Sequence, residues 1–315
     1  MRWVEGLVAA SCVACAADPP PRTPTPAPIP RVAPKKKKEA PECGLAPRVR
    51  ESEPVLTLVD AGAEPRRELR FVGTVGERVS LDMAEEATLS AAPAPVLVRF
   101  SVDAQVTAVK DGITRLSLGL GNLEVPEREG VPVGFYEGVR QALGPTSGVR
   151  GEAQVDPGGP VLVELSEGED SGLGRKLRTN LLRFAVAVPR EPVGVGAKWE
   201  VKSETEMGLH LDAVTRFELT ELAGTGGTVK VHSSVRSTGT APAICAAPAV
   251  VVEPMTFTMT GERTVSFDTR RPLALSGRQV VDTVIENRVW RHGTPTDRTE
   301  RVHVQLTTTV RRSSP

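Results

Sequence analysis

The 315-residue chain carries 39 basic and 39 acidic side chains, a formal net charge of zero. No global field recruits polyanions, so nucleic acid is excluded as an expected partner. Only 3% of residues are aromatic against 39% hydrophobic, so a core must be built from Val and Leu, with Trp199 and Trp290 as rare large anchors; that β-branched enrichment favours strands.

The first seventeen residues, MRWVEGLVAASCVACAA, place one Arg before a short apolar run that closes in small residues. This is the pattern of an export signal, too short to span a bilayer, although Glu5 interrupts it. Within it, Ala9-Ala10-Ser11-Cys12-Val13-Ala14-Cys15 resembles the lipobox of bacterial lipoproteins. Cys15 is the expected acyl acceptor and Cys12 the alternative; an ordinary secretory signal cleaved near Ala14 to Ala17 is the other reading. The expected location is therefore the cell envelope, as a periplasm-facing or surface lipoprotein of the outer membrane, with a soluble periplasmic or secreted protein as the alternative. The membrane would be a partner through the lipid anchor.

Residues 18–50 read as a disordered tether. Pro recurs at nearly every second position to Pro34, and Lys35 to Lys38 follow, so the segment is expected to be extended, solvated and basic. Its excess charge can also lie against an anionic surface. Cys43 and Cys245 are expected to bridge in an oxidising compartment. Closing a loop of about 200 residues would contribute roughly 4–5 kcal/mol; two free thiols are the alternative.

Residues 51–315 read as a single antiparallel β domain. Short strands are expected at Val55–Val59, Glu68–Thr74 and Arg78–Asp82, then an Ala-rich loop from Met83 to Pro95. Val96–Val109 and Ile113–Val125 flank Asp111-Gly112, whose D-G pair supplies the positive φ angles of a type I′ turn. A second hairpin turns on Asp156-Pro157-Gly158-Gly159. Two amphipathic helices are expected, one with Val133, Tyr136, Val139 and Leu143 on its apolar stripe, the other with Leu173, Leu177, Leu181 and Phe184, each with a charged opposite face. Strands resume at Lys198–Ser203, Leu209–Leu222, Thr228–Ser237, Met255–Phe267, Leu273–Trp290 and Arg301–Arg311, with an Ala/Pro loop from Ala241 to Pro254. So many strands cannot stay flat. The expected fold is mainly β: a large curved antiparallel sheet, half-barrel or open barrel, with about two helices packed in its concave face.

From Gly148 to Val201 a D-P-x-G hairpin, a helix and Pro192-Val193-Gly194-Val195-Gly196-Ala197-Lys198-Trp199 follow one another. This order resembles an uncharacterised family of secreted bacterial proteins and lipoproteins marked by a P-x-x-P-V-x-V-G-x-x-W element. The resemblance implies an envelope location and a β-rich domain, and brings no catalytic residues. Physically the element is a helix stop, a Gly turn and a Trp anchor.

The four histidines, His210, His232, His292 and His303, form no metal-ligand spacing. There is no nucleophile elbow and no phosphate loop. His210 with Asp212 reads as an outward polar pair on a strand, and Glu164, Glu167, Glu169 and Asp170 as a solvated loop leading into a helix. No catalytic, metal or cofactor residue is assigned. The expected function is non-enzymatic: binding or carriage of an apolar ligand, by fold-level analogy with lipid-handling envelope proteins. A tethered envelope interaction or structural module, whose partner would be an envelope protein, and an unrecognised hydrolase are the alternatives.

Overall fold

The computed structural model describes residues 50–90, 92–144, 149–159, 161–167, 172–206, 209–238, 244–247, 250–271, 273–291 and 298–313. Its elements are β1 (Arg50–Glu51), β2 (Val55–Asp60), β3 (Arg78–Leu89), β4 (Val96–Lys110), β5 (Ile113–Glu124), α1 (Val133–Leu143), β6 (Arg150–Val155), β7 (Val161–Glu167), α2 (Gly172–Phe184), β8 (Lys198–Glu206), β9 (His210–Ala223), β10 (Gly226–Thr238), β11 (Ile244–Ala247), β12 (Val250–Asp268), β13 (Ser276–Arg291) and β14 (Arg298–Arg312). The strands join one open, curved, antiparallel sheet in the order β1-β8-β9-β10-β12-β13-β14-β3-β4-β5-β6-β7, with β2 also on β8 and β11 on β12. Among the described residues, no helix is long and apolar enough to cross a membrane.

Period-two alternation decides which face is covered. Along β9, Leu211, Ala213, Phe217 and Leu219 point inward while their neighbours stay wetter, as one-sided burial requires. Leu173, Leu177, Leu181 and Phe184 of α2 and Tyr136 and Leu143 of α1 enter the main core, with Val139 half-buried against it, so the expected α2 stripe is buried whole, whereas Val133 at the start of the α1 stripe is 56% exposed. A second, smaller cluster around Leu211, Phe257, Met259, Val281, Ile285 and Leu306 occupies the distal half of the long strands.

Several boundaries differ from expectation. The segment at Glu68–Thr74 is not a strand; its neighbourhood holds only an isolated bridge between Arg67 and Val193. The expected loop after Asp82 is strand as far as Leu89, because Met83, Glu85 and Ala87 continue the inward alternation in register with β14. The expected loop at Ala241–Pro254 contains β11 and the start of β12, and Pro254 is tolerated there because the register shifts beside it, a position where no ladder N–H is needed. Trp199, 1% exposed, packs face to face with Phe217 at 5.4 Å, and its Nε1 donates to the Ala187 carbonyl at 2.7 Å, on the segment that follows α2.

The register also shows an internal duplication: β3-β4-β5-β6-β7 repeats as β8-β9-β10-β12-β13. Gly76 and Gly196 turn into the first strand of each unit with φ of 86° and 84°. Gly76 N–H donates to Val106 O at 2.9 Å and Gly196 N–H to Leu219 O at 2.7 Å. One residue beyond each of those acceptors lies a bulge Thr, with Thr107 Oγ1 donating to Arg115 O and Thr220 Oγ1 to Thr228 O. Each unit then reaches an Asp that accepts the N–H two residues on: Asp156 from Gly158 at 2.8 Å and Asp268 from Arg270 at 3.0 Å. The units part after β7 and β13. Where β13 runs on to β14, β7 is followed by α2, which folds onto the inner face.

Candidate functional site

Antiparallel pairing lines up one transverse row across four strands. Arg263 of β12 faces Gln279 of β13, Gln279 faces Thr308 of β14, and Thr308 faces Glu85 of β3. All lie on the covered face. Gln279, Thr308 and Glu85 are 2%, 0% and 4% exposed. Helix α2 lies over this row and presents Lys176, Asn180 and Arg183 at helical spacing, beside its apolar stripe. The expected charged outer face of α2 is thus partly turned inward.

Glu85 is the carboxylate that the described residues bring to the helix. Lys176 Nζ is in direct contact with its Oε1, Asn180 Nδ2 donates to Oε2 at 3.4 Å, and Arg183 Nη1 lies 3.6 Å from Oε2. Arg183 also donates to Asn180 Oδ1 at 3.3 Å. Burial lowers the pKa of Arg183 to about 9, and burial together with the Arg183 charge lowers that of Lys176 from 10.5 to about 8. The folded chain therefore releases the Lys176 proton at a pH where the unfolded chain still holds it, and stability should climb as pH rises from about 8 to 10. Denaturant melts across that window check this, with Lys176→Met expected to remove the part of the rise that begins near pH 8 and to leave the part above about pH 9 that the lowered pKa of Arg183 contributes.

At Arg263 the surroundings are poorer in partners. Its guanidinium stacks over the Phe217 ring at 5.8 Å, while its Nε is sealed from solvent without a hydrogen-bond partner, as are Gln279 Oε1 and Thr308 Oγ1. Next to the row is an apolar void. It is lined by residues that include Phe71, Leu81, Met83, Leu181, Phe184 and Val310, and its volume of about 20 Å³ is room for roughly one water. Gly277 keeps the void's helix side close, since a Cβ there would stand 2.7 Å from the Phe184 ring.

The residues singled out by sequence lie elsewhere. Cys12, Cys15 and Cys43 fall outside the described residues, and Cys245 is described only as backbone in β11, paired with Val251. The expected bridge between Cys43 and Cys245 therefore falls outside the described residues too. His210 Nε2 lies 3.1 Å from Asp212 Oδ1, and with Glu204 on β8 the three offer ligand atoms within 4.8 Å of one another. That trio could hold a divalent cation, on the solvated face of the sheet. His232 and His303 likewise meet carboxylates there, Glu262 at 3.5 Å and Asp282 at 2.9 Å. His292, Glu169 and Asp170 lie outside the described residues; Glu164 is exposed on β7. No sequence argument singled out the row of Arg263, Gln279, Thr308 and Glu85. The one available signal was Glu85 itself, a charge at an inward position of an alternating strand.

Comparison with protein-family models, with curated proteins and with solved structures finds no match.

Proposed function

We propose that the chain is an exported envelope protein, anchored through an acyl group on Cys15 or alternatively Cys12, that binds and carries an apolar ligand without changing it chemically. The observation that carries the binding reading is the apolar void under α2. An apolar cavity stays dry and takes up apolar molecules. In the closed arrangement the void has room for about one water, so a ligand enters when α2 lifts from the sheet. Side chains hold α2 there: its apolar stripe and the contacts around Glu85. The surrounding framework of paired strands need not change.

A second reading, a tethered interaction module, is favoured by one edge of the sheet. Among the described residues β7 is bonded only to β6, whereas its counterpart β13 is bonded on both sides. Leu162 on β7 is 50% exposed, and an unpaired edge is a template for another strand.

Intact-mass measurement on the full chain purified from its own membranes tests both parts. The denatured spectrum should show a mature chain beginning at an acylated Cys. The native spectrum should show an additional lipid-sized mass that is released on unfolding. An unprocessed, unacylated chain removes the envelope assignment. A bare native mass removes the carrier reading, and a native mass carrying a second polypeptide replaces it with the interaction module.

A further inference from the structure

We infer that the ligand has an anionic head group, a carboxylate or phosphate, and that Arg263 with Thr308 and Gln279 receives it; this inference rests on the carrier reading and names the class of molecule carried. Three independent features support it.

The first is the arginine. Among the described residues no carboxylate pairs with Arg263. Its contacts are the Phe217 ring and the like charge of Arg183, and burial with that neighbour lowers its pKa to about 10. A desolvated cation without a counter-ion is costly, and an anion at the guanidinium removes the cost. Part of the Arg263 surface remains open to solvent, which gives an ion access.

The second is the pair of unsatisfied groups beside it. Thr308 Oγ1 can donate, and the Gln279 amide, turned over, presents its NH₂. Both are more than nine-tenths buried, and Thr308 Oγ1 and Gln279 Oε1 have no partner. Native interiors rarely leave such groups orphaned without reason.

The third comes from the duplication. Five residues before Asp268 stands Arg263, and five before Asp156 stands Gly151. Across the ladder Arg263 faces Gln279, while Gly151 faces Leu165. The same framework is therefore built in the first unit with a glycine and a leucine, so the fold does not require the polar pair. That row lies two residues along β3 and β14 from Met83 and Val310, which line the void. A head group at Arg263 thus leaves its tail next to an apolar space, as an amphiphile needs.

The test is a titration of the full, delipidated chain with a fluorescent long-chain fatty acid and with its methyl ester, each in the presence and absence of inorganic phosphate. The acid is expected to bind about tenfold or more tightly than the ester, as loss of a charge-assisted contact implies. Arg263→Gln should bring the acid down to the affinity of the ester and leave the ester unchanged. Thr308→Val, nearly isosteric, should weaken the acid alone and serves if Arg263→Gln does not fold. Phosphate at millimolar concentration should fail to displace the acid. Equal binding of acid and ester, unaffected by Arg263→Gln, overturns the head-group site and leaves the carrier reading standing. Binding of neither overturns the carrier reading itself. Displacement of the acid by phosphate assigns the site to a free anion and overturns the amphiphile.

Discussion

Glu85→Ala is expected to lower folding stability by about 3–5 kcal/mol, the usual cost of removing one partner from a buried ion pair. Glu85 is 4% exposed and meets Lys176, Asn180 and Arg183 of α2 together. Its removal takes from Lys176 and Arg183 the carboxylate that they share. The loss should appear as a fall in melting temperature of roughly 10 °C for a domain of this size. Adding Lys176→Met to Glu85→Ala should recover part of it, because the stranded charge is then gone as well. If Glu85→Ala melts within about 1 kcal/mol of the parent, the contacts around Glu85 do not hold α2 to the sheet.

Gly159→Ala should be at least as damaging, roughly 3 kcal/mol or more. Gly159 has φ of 89°, and a Cβ there would overlap the Val186 carbonyl just beyond α2. Val188, two residues on, donates to Gly158 O at 2.7 Å, so the turn and the segment after α2 are bonded together and neither can retreat alone. Gly76 is the internal control. Its φ of 86° is nearly the same, but a Cβ there would meet nothing within 4 Å. Gly76→Ala should therefore cost only the backbone term, about 1–2 kcal/mol. Chemical denaturation of both variants separates the steric from the conformational contribution, and equal losses would show that the close approach at Gly159 is unimportant.

Much of the sheet was legible where local chemistry left one choice. Asp111-Gly112 demands positive φ, and φ of 54° and 80° is what the turn adopts. The helical stripe at Leu173, Leu177, Leu181 and Phe184 could be buried in only one way. The reading failed where composition hid alternation. Ala84, Glu85 and Glu86 look like loop residues until β14 pairs with them, and Pro254 looks like a strand breaker until a register shift accommodates it. The duplication stayed hidden because its matching features, Gly76 with Gly196, Thr107 with Thr220 and Asp156 with Asp268, are single residues separated by unequal spacings. The candidate site was beyond reach for a different reason. Arg263, Gln279, Thr308 and Glu85 come from four strands, and only the ladder register places them side by side.

Hydrogen exchange on the full chain, with and without a long-chain fatty acid, tests most directly whether the inner face beneath α2 is a binding site that opens. Amides of 172–184 should exchange well ahead of those in β9 and β10 in the free protein, since the helix is held by side chains and the strands by continuous ladders. They should slow when the amphiphile is added. Amides of α2 as protected as those of β10, and indifferent to the amphiphile, would contradict the account.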